Sequence, residues 1–261
     1  MNIHFHKYQG TGNDFVILDN RDGRYNNISN AQVKFLCDRH FGIGADGLMM
    51  LNLRDGYDFE MKYYNADGKE GSMCGNGGRC LVKFAQQCGI RKEHYHFIAS
   101  DGEHEASIDD EGWVILKMKP VSGITSSGKH FILNTGSPHY VENTNDIMKV
   151  DVYHKGREIR YSREFEKEGI NVNFVQVIDD DSIYVRTYER GVEDETLSCG
   201  TGVTAAALVS AHNERGFNSI NIKTPGGRLR VEFDKTGDDQ FSEIWLCGPA
   251  VFVFSGTADI A

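Results

Sequence analysis

The sequence predicts an α+β fold made of two pseudo-symmetric halves, each a mostly antiparallel sheet or barrel wrapped around one central helix. Residues 73–79 (MCGNGGR) and 198–204 (SCGTGVT) each place a cysteine before Gly-x-Gly and a helical run, and the two cysteines lie 125 positions apart. Upstream, the segments beginning at Gly12 and Gly136 precede these cysteines by 62 and 63 residues. Repeats that keep their register in this way indicate two related structural units.

Hydrophobic periodicity predicts many short strands and three helices. Strands are expected where apolar and polar residues alternate, at 48–53, 59–63, 112–118, 183–185, 228–233 and 250–254. The first helix, 29–40, begins with Ser29 and Gln32 at the spacing of a capping box. The other two, 76–88 and 201–215, follow the repeated cysteines and end at glycines, which are common just past a helix C-terminus.

The domain organisation follows from the repeat. The N-terminal half is expected to cover 1–118, with 248–261 crossing back to it, and the C-terminal half 119–247. The run KPVSG at 119–123 supplies the turn-forming residues expected at such a boundary.

Composition restricts the classes of partner and the cellular compartment. The chain of 261 residues has a formal charge of −10 and no block of basic residues, which argues against nucleic acid and anionic membranes as partners. No apolar window reaches the roughly 18 residues of a membrane span. Residues 1–6 lack the features of a signal peptide, so we expect a cytoplasmic protein.

The six cysteines are therefore expected to be reduced, and the absence of a Cys-x-x-Cys pair predicts no metal site. Cys74 and Cys199 differ from the others because both of their flanks repeat. A cysteine just before a helix has a lowered pKa, since free amide groups and the helix dipole favour the thiolate. The same amide groups can bind a carboxylate. The remaining four are predicted to be small buried hydrophobic residues: Cys37, Cys80, Cys88 and Cys247.

Two thiols with lowered pKa values, one in each half, suggest a reaction that inverts a stereocentre. One thiolate can remove a proton from a carbon while a thiol delivers a proton to its opposite face, and backbone amides stabilise the charge that develops. No lysine-based cofactor motif is evident, so the sequence predicts a cofactor-free reaction.

Three other segments could be functional, but each also has a purely structural explanation. The run GIGADG at 42–47 matches a dinucleotide fingerprint, but it follows a predicted helix, so we interpret it as a turn. Residues 179–181 (DDD) are expected to form a hairpin turn. His139 and the pair Glu189-Arg190 are either structural or close to the site, because of their places in the repeat.

Several motifs together strongly resemble the diaminopimelate epimerase family over nearly the whole chain: GTGNDF at 10–15, YNADG at 64–68, MCGNG at 73–77, ERG at 189–191 and ETLSCGTG at 195–202. The resemblance implies a cofactor-independent epimerase that converts LL-diaminopimelate to the meso form in lysine and peptidoglycan-precursor synthesis. It also implies a homodimer of two-halved α/β chains.

The resemblance assigns roles to particular residues. Cys74 and Cys199 are the implied acid/base pair. The other implied residues fall into three groups, which hold the reacting carboxylate (Gly75, Asn76, Gly200, Thr201), recognise the rest of the substrate (Asn13, Asn65, Asn171, Glu189, Arg190) and set thiol protonation (His139, Glu189). Two departures stand out: Ser137 replaces an asparagine common in the family, and Gly47 replaces a glutamine found in some members.

Two alternatives stay open at this stage. A proline or hydroxyproline racemase resembles this fold and also uses two cysteines. A non-enzymatic thiol redox or binding protein on the same fold is the other possibility.

Overall fold

The computed structural model describes residues 1–260 and divides into two compact units. The N-terminal unit comprises Met1–Leu116 with the described residues from Gly248 onward, and the C-terminal unit comprises Lys117–Cys247. Within the described residues, no helix combines the length and the apolar character that a membrane crossing requires.

The N-terminal unit contains a sheet and two helices. Its strands and helices are β1 (Asn2–Gly10), β2 (Asn13–Asp19), α1 (Asn30–Cys37), β3 (Gly47–Asn52), β4 (Phe59–Asn65), α2 (Gly75–Gln87), β5 (His94–Ala99), β6 (Gly102–Ile108), β7 (Val114–Lys117) and, from the chain's end, β18 (Val251–Asp259).

The C-terminal unit repeats the order strand–strand–helix–strand–strand–helix–three strands and adds three short strands. Its elements are β8 (Val121–Ser122), β9 (Thr125–Ser127), β10 (His130–Asn134), β11 (Pro138–Asn143), α3 (Val152–Arg160), β12 (Asn171–Asp179), β13 (Ser182–Glu189), β14 (Asp194–Thr196), α4 (Gly200–Val209), β15 (Gly216–Thr224), β16 (Gly227–Gly237) and β17 (Gln240–Gly248). The added strands are β8, β9 and β14.

The pairing of strands repeats between the units. In the N-terminal unit, β1–β2 and β3–β4 are antiparallel, β2–β3 and β4–β5 are parallel, and β5–β6–β7 is antiparallel again. In the C-terminal unit, β10–β11, β12–β13 and β15–β16–β17 are antiparallel, while β11–β12 and β13–β15 are parallel. The helices fall between equivalent strands, so the predicted pair of pseudo-symmetric, mostly antiparallel halves is confirmed.

Each sheet surrounds one buried helix. Helix α2 packs against β1, β2, β3, β4 and β18, and helix α4 packs against β10, β11, β12, β13, β15 and β16. Eight of the ten residues of α4 are buried, as are all residues of α2 from Gly75 to Val82. Helix α4 is apolar on all sides, as expected of a core helix. Helix α2 also starts in the core, where its buried polar side chains Asn76 and Arg79 are hydrogen-bonded.

The capping box of the first helix is present as predicted. The Ser29 hydroxyl accepts a hydrogen bond from the amide of Gln32, and the Gln32 side chain accepts one from the amide of Ser29. The helix is shorter than expected, because it ends at Cys37 and the chain turns at Asp38. The predicted strands and the hairpin turn after Asp179 are also present.

The third predicted helix is also too long, and one helix was not predicted. The third predicted helix was expected to reach residue 215, but α4 ends at Val209. Beyond it, the side chain of the buried Asn218 accepts a hydrogen bond from the amide of Asn213, which replaces a helical partner. Helix α3 was not predicted, because it is polar and has Gly156 at its centre; a Cβ there would lie 2.4 Å from Cβ of Tyr188.

Candidate active site

Both repeated cysteines are the N-cap residues of their helices. Cys74 precedes α2 and Cys199 precedes α4, each with an extended backbone and neither side chain used for capping. Their carbonyl groups accept the first intrahelical hydrogen bonds, at 2.7 Å from Gly78 and 2.9 Å from Val203. The thiols are therefore placed beside first-turn amide groups that have no partner within the helix.

In the N-terminal unit, Cys74 lies in a network of amide side chains. Its Sγ donates to Oδ1 of Asn13 at 3.6 Å, and Nδ2 of Asn76 donates to the same oxygen at 3.2 Å. Arg79 is fully buried and donates to Oδ1 of Asn76 at 3.0 Å. The structure thus brings three of the predicted residues together and adds Arg79.

Asn13 is anchored on its other side by a cluster of charges. Its Nδ2 donates to Oδ2 of Asp46 at 2.6 Å, and Asp46 accepts from Arg39 at 2.7 Å. Arg39 also binds Asp14, which pairs with the buried Lys7 at 2.6 Å. Burial would raise the pKa of Asp14, but hydrogen bonds from Arg39 and Lys7 outweigh it and hold that pKa at about 2.

Asn65, another predicted substrate residue, stands exposed at the end of β4, opposite Gly47 of β3. A Cβ at Gly47 would lie 2.6 Å from Cε2 of Tyr63 and 2.7 Å from the carbonyl oxygen of Tyr64. The ring of Tyr63 therefore occupies the space that a side chain at position 47 would need, which accounts for the glycine there.

In the C-terminal unit, Cys199 faces a hydroxyl group. Its Sγ lies 3.5 Å from the Thr201 hydroxyl, Oγ1. The backbone carbonyl oxygen of Thr201 accepts a hydrogen bond from the Thr135 hydroxyl at 2.9 Å. A Cβ at Gly202 would lie 2.4 Å from Oδ1 of Asn173 and 3.3 Å from the Cys199 sulfur. Only glycine lets the helix start approach Asn173 this closely.

Ser137 joins two predicted substrate residues. Its Oγ accepts from Nδ2 of Asn171 at 2.9 Å and from Nη2 of Arg190 at 3.3 Å. The Asn171 side chain in turn accepts from the amide of Arg190 at 2.9 Å. Ser137 thus has its own hydrogen left to donate, beside a guanidinium group that suits a carboxylate.

His139 is fully buried and neutral at neutral pH. Its Nδ1 lies 3.1 Å from Nδ2 of Asn173, and Oδ1 of Asn173 accepts from the Thr187 hydroxyl at 2.9 Å. This orientation makes Nδ1 the acceptor and places the ring hydrogen on Nε2. Burial, reinforced by the charge of Arg190, lowers the pKa of His139 to about 3. Glu189, which directly precedes Arg190, accepts a hydrogen bond from the Thr196 hydroxyl at 2.9 Å.

The other cysteines have the surroundings of structural thiols. Burial raises the pKa of Cys37 and of Cys80 to about 12 and that of Cys88 to about 11. Cys37, Cys80 and Cys247 are buried, whereas Cys88 is half-buried at the end of α2. A thiol that ionises this reluctantly is a poor base at neutral pH.

Sequence reasoning missed three residues that organise the site: Asp46, Arg79 and Asn173. Two of them carried a signal. Arg79 is a charged residue directly before the apolar run Cys80–Val82 of the helix, and Asn173 follows Asn171 at the two-residue spacing that puts both on one face of a strand. Asp46 carried no comparable signal, since it lies in a segment interpreted as a turn.

The fold is that of a class of proteins that includes racemases and epimerases. A PhzF-family phenazine biosynthesis protein from Bacillus anthracis matches over all of both chains, with a TM-score of 0.79 and 13% identity. A probable proline racemase from Agrobacterium radiobacter matches 99% of this chain and 93% of its own, with a TM-score of 0.67 and 14% identity. Likeness at this level of identity concerns the fold alone.

The sequence comparisons give the family. The family model for diaminopimelate epimerase matches residues 5–124 and 131–253. The chain is 47% identical to the diaminopimelate epimerase of Flavobacterium psychrophilum, covering 97% of this chain and 98% of that protein, and 44% identical to that of Chlorobaculum tepidum, covering 95% and 98%. The chain belongs to the diaminopimelate epimerase family, which confirms the predicted resemblance and the prediction of an isomerase.

Replacing Gly202 by alanine is expected to lower kcat/KM for diaminopimelate by roughly 10–100-fold, because the new methyl group must displace Asn173 or the Cys199 sulfur. Gly77 holds the equivalent place in the first repeat and is the matched control, since a Cβ there meets the mobile Sδ of Met49 at 3.1 Å. Steady-state kinetics of both variants test this, and equal losses would contradict it.

Replacing His139 by asparagine is expected to flatten the loss of stability in acid. The folded protein keeps this imidazole neutral down to about pH 3, whereas the unfolded chain protonates it near its ordinary pKa of 6.5. Below pH 6.5 the unfolded state binds the extra proton, so the free energy of unfolding falls by up to about 1.4 kcal/mol per pH unit. Urea unfolding between pH 7 and 4.5 measures this. Parallel curves for the two proteins would contradict it.

Proposed function

We propose that this protein interconverts LL- and meso-diaminopimelate for lysine biosynthesis, with Cys74 and Cys199 as the acid/base pair and no cofactor. The observation that carries the proposal is the same one in both units: a cysteine at the N-cap of a buried, glycine-led helix. Membership of the diaminopimelate epimerase family supplies the substrate.

In the proposed reaction, one cysteine is a thiolate and the other a thiol when substrate binds. The thiolate accepts the α-proton, and the electron pair of the broken C–H bond is delocalised into the α-carboxylate. The thiol then donates its proton to the opposite face of the same carbon. The configuration is inverted and the two cysteines have exchanged protonation states, so the next turnover runs from the other stereoisomer.

Charge on the α-carboxylate has to be stabilised while the proton is absent. Gly75, Asn76, Gly200 and Thr201 start the two helices, and their amide groups are the proposed donors to that carboxylate. Amides fixed in a buried helix start need no reorganisation when charge develops, which makes them effective stabilisers of the intermediate.

The rest of the substrate is proposed to contact the polar side chains predicted from the resemblance. Arg190 offers a planar, bidentate partner for the distal carboxylate, and the Ser137 hydroxyl beside it supplies another donor. Asn13, Asn65 and Asn171 are the remaining proposed contacts. Glu189 and the neutral His139 are proposed to contribute to thiol protonation, and His139 can do so only as an uncharged donor.

The two alternatives left open by the sequence would require different side chains around Arg190. A proline racemase handles a substrate with one carboxylate and has no use for a second carboxylate-binding cluster of arginine, serine and asparagine. A redox or binding protein does not need helix-start amides in both units beside cysteines that form no disulfide. The cluster around Arg190 therefore favours the diaminopimelate epimerase.

The direct test is exchange with solvent. In D₂O, the reduced protein is expected to convert LL-diaminopimelate with deuterium entering the α-position, observed by NMR and chiral chromatography. Cys74→Ser and Cys199→Ser are each expected to lose roughly 10²–10⁴-fold in kcat/KM, because each removes one positioned proton-transfer group.

Cys88→Ser serves as the matched control, because this half-buried thiol lies at the far end of α2 from Cys74. Exchange into L-proline instead of diaminopimelate would support the racemase. Retained epimerisation in both cysteine variants would refute the two-thiol mechanism.

We also propose that the protein is a cytoplasmic homodimer. Strand β18 supports the dimer: four consecutive apolar residues, Val251 to Phe254, are each 43–50% exposed. Single exposed apolar residues are ordinary, but a contiguous apolar strand marks an interaction surface. The rings of Phe254 and Phe252 contact Phe5 and Tyr8 of β1, and the pairing of β1 with β18 shifts by one residue between Lys7 and Tyr8.

Val251→Glu combined with Val253→Glu is accordingly expected to shift the protein from dimer to monomer, because like charges would meet at the interface. Size-exclusion chromatography with light scattering measures the mass of both proteins. A monomeric wild type, or a dimer that the double substitution leaves intact, would exclude this surface as the interface.

A further inference from the structure

The amide side chains beside Cys74 form a chain that ends in groups of opposite hydrogen-bonding character. Asp46 lies at one end and Arg79 at the other, with Asn13 and Asn76 between them. Cys74 joins this chain at its centre, through Oδ1 of Asn13.

The two ends fix the orientation of both amides. A carboxylate can only accept, so Asn13 must direct its Nδ2 toward Asp46 and its Oδ1 toward Cys74. A guanidinium group can only donate, so Asn76 must direct its Oδ1 toward Arg79 and its Nδ2 toward Asn13. The two constraints agree, since both place Oδ1 of Asn13 at the centre as an acceptor.

Asp46 is itself held in place, although it is exposed. Its Oδ2 also accepts from the backbone amide of Asp14 at 3.2 Å, and its Oδ1 accepts from Arg39 at 2.7 Å. Three donors on one carboxylate leave it little freedom to turn away from Asn13.

An acceptor facing a sulfur stabilises the protonated form. Oδ1 of Asn13 can accept the S–H of a thiol but offers nothing to a thiolate, so this contact favours the thiol of Cys74. Cys199 differs, because the Thr201 hydroxyl that faces it can donate as well as accept. The polar surroundings therefore distinguish two cysteines that the repeat makes equivalent.

Charged and titratable groups lie on α2, which Cys74 caps, and on the elements that pack against this helix. They are Arg79, Cys80 and Lys83 on α2, His4, His6, Lys7 and Tyr8 on β1, Asp14 and Asp19 on β2, Glu60, Lys62, Tyr63 and Tyr64 on β4, Asp259 on β18, and Arg39 and Asp46 before β3. Because charges of both signs are present, a test has to separate amide orientation from net charge.

We infer that Asp46 and Arg79 are positioning residues that orient Asn13 and Asn76 and thereby keep a proton on Cys74 in the substrate-free protein. This inference deepens the proposed function and rests on it for the role of Cys74, which becomes the first proton donor. Cys199 is then the first base.

The test reads the thiols directly by the pH dependence of alkylation with iodoacetamide, so it is independent of epimerase activity. Trypsin separates the two cysteines into peptides 70–79 and 191–215, which mass spectrometry quantifies individually. In the wild type, the pH midpoint for alkylation of Cys74 is expected to exceed that of Cys199. A midpoint for Cys74 at or below that of Cys199 would overturn the inference.

Two substitutions at Asp46 separate orientation from charge. Asp46→Asn and Asp46→Leu remove the same charge, but only asparagine keeps an oxygen that accepts from Asn13. Asp46→Leu is expected to give about three- to tenfold more Cys74 thiolate at a given pH, since Asn13 can then turn its Nδ2 to the sulfur. Asp46→Asn is expected to stay near the wild type, and the Cys199 midpoint should not move in either variant.

Equal shifts in the two variants would show that charge alone acts on Cys74, and no shift in Asp46→Leu would show that Asp46 does not position Asn13. Either result overturns the inference while leaving the deuterium-exchange test of the epimerase untouched. The wild-type comparison stands even where a variant fails to fold.

Discussion

The structure depends on starting a helix inside a sheet-lined core. A helix start leaves amide groups without intrahelical partners, and burying them is costly unless something accepts their hydrogen bonds. Helices α2 and α4 both begin with buried glycines behind a cysteine N-cap. A substrate carboxylate is an acceptor that fits such a start, so the architecture of each unit and the proposed catalytic chemistry follow from one constraint.

Duplication supplies this arrangement twice, but the two copies have diverged in the groups that face the sulfur. Cys74 has the amide oxygen of Asn13, which is held by a network reaching to charged residues. Cys199 has the hydroxyl of Thr201. The sheet topology is preserved between the units, whereas the polar contacts are not, so the fold provides the thiols and the local side chains differentiate them.

The sequence allowed the backbone plan and the cysteines to be predicted, because both depend on local patterns that repeat. Alternation located the strands, and the cysteine–glycine motifs located α2 and α4. Helix α3 escaped prediction because the close approach of Gly156 to Tyr188 is a tertiary contact that overrides propensity. Asp46 and Asn173 escaped prediction because their partners Asn13 and His139 lie 33 and 34 residues away in the sequence. Arg79 was missed although its partner Asn76 lies on the same helix.

The glycine at position 47 limits which side chains can line the proposed site. At Gly47 the space beside β3 is filled by the ring of Tyr63, so this chain has no room for a side chain that could reach substrate from that position. The polar groups proposed for substrate recognition in the N-terminal unit are then amides, and those proposed in the C-terminal unit centre on the hydrogen-bonded group of Ser137, Asn171 and Arg190. Because Ser137 accepts from both of its neighbours, it holds the guanidinium and the amide in one arrangement while keeping its own hydrogen for the ligand. A serine at position 137, although shorter than asparagine, can therefore orient the side chains of the proposed carboxylate-binding cluster.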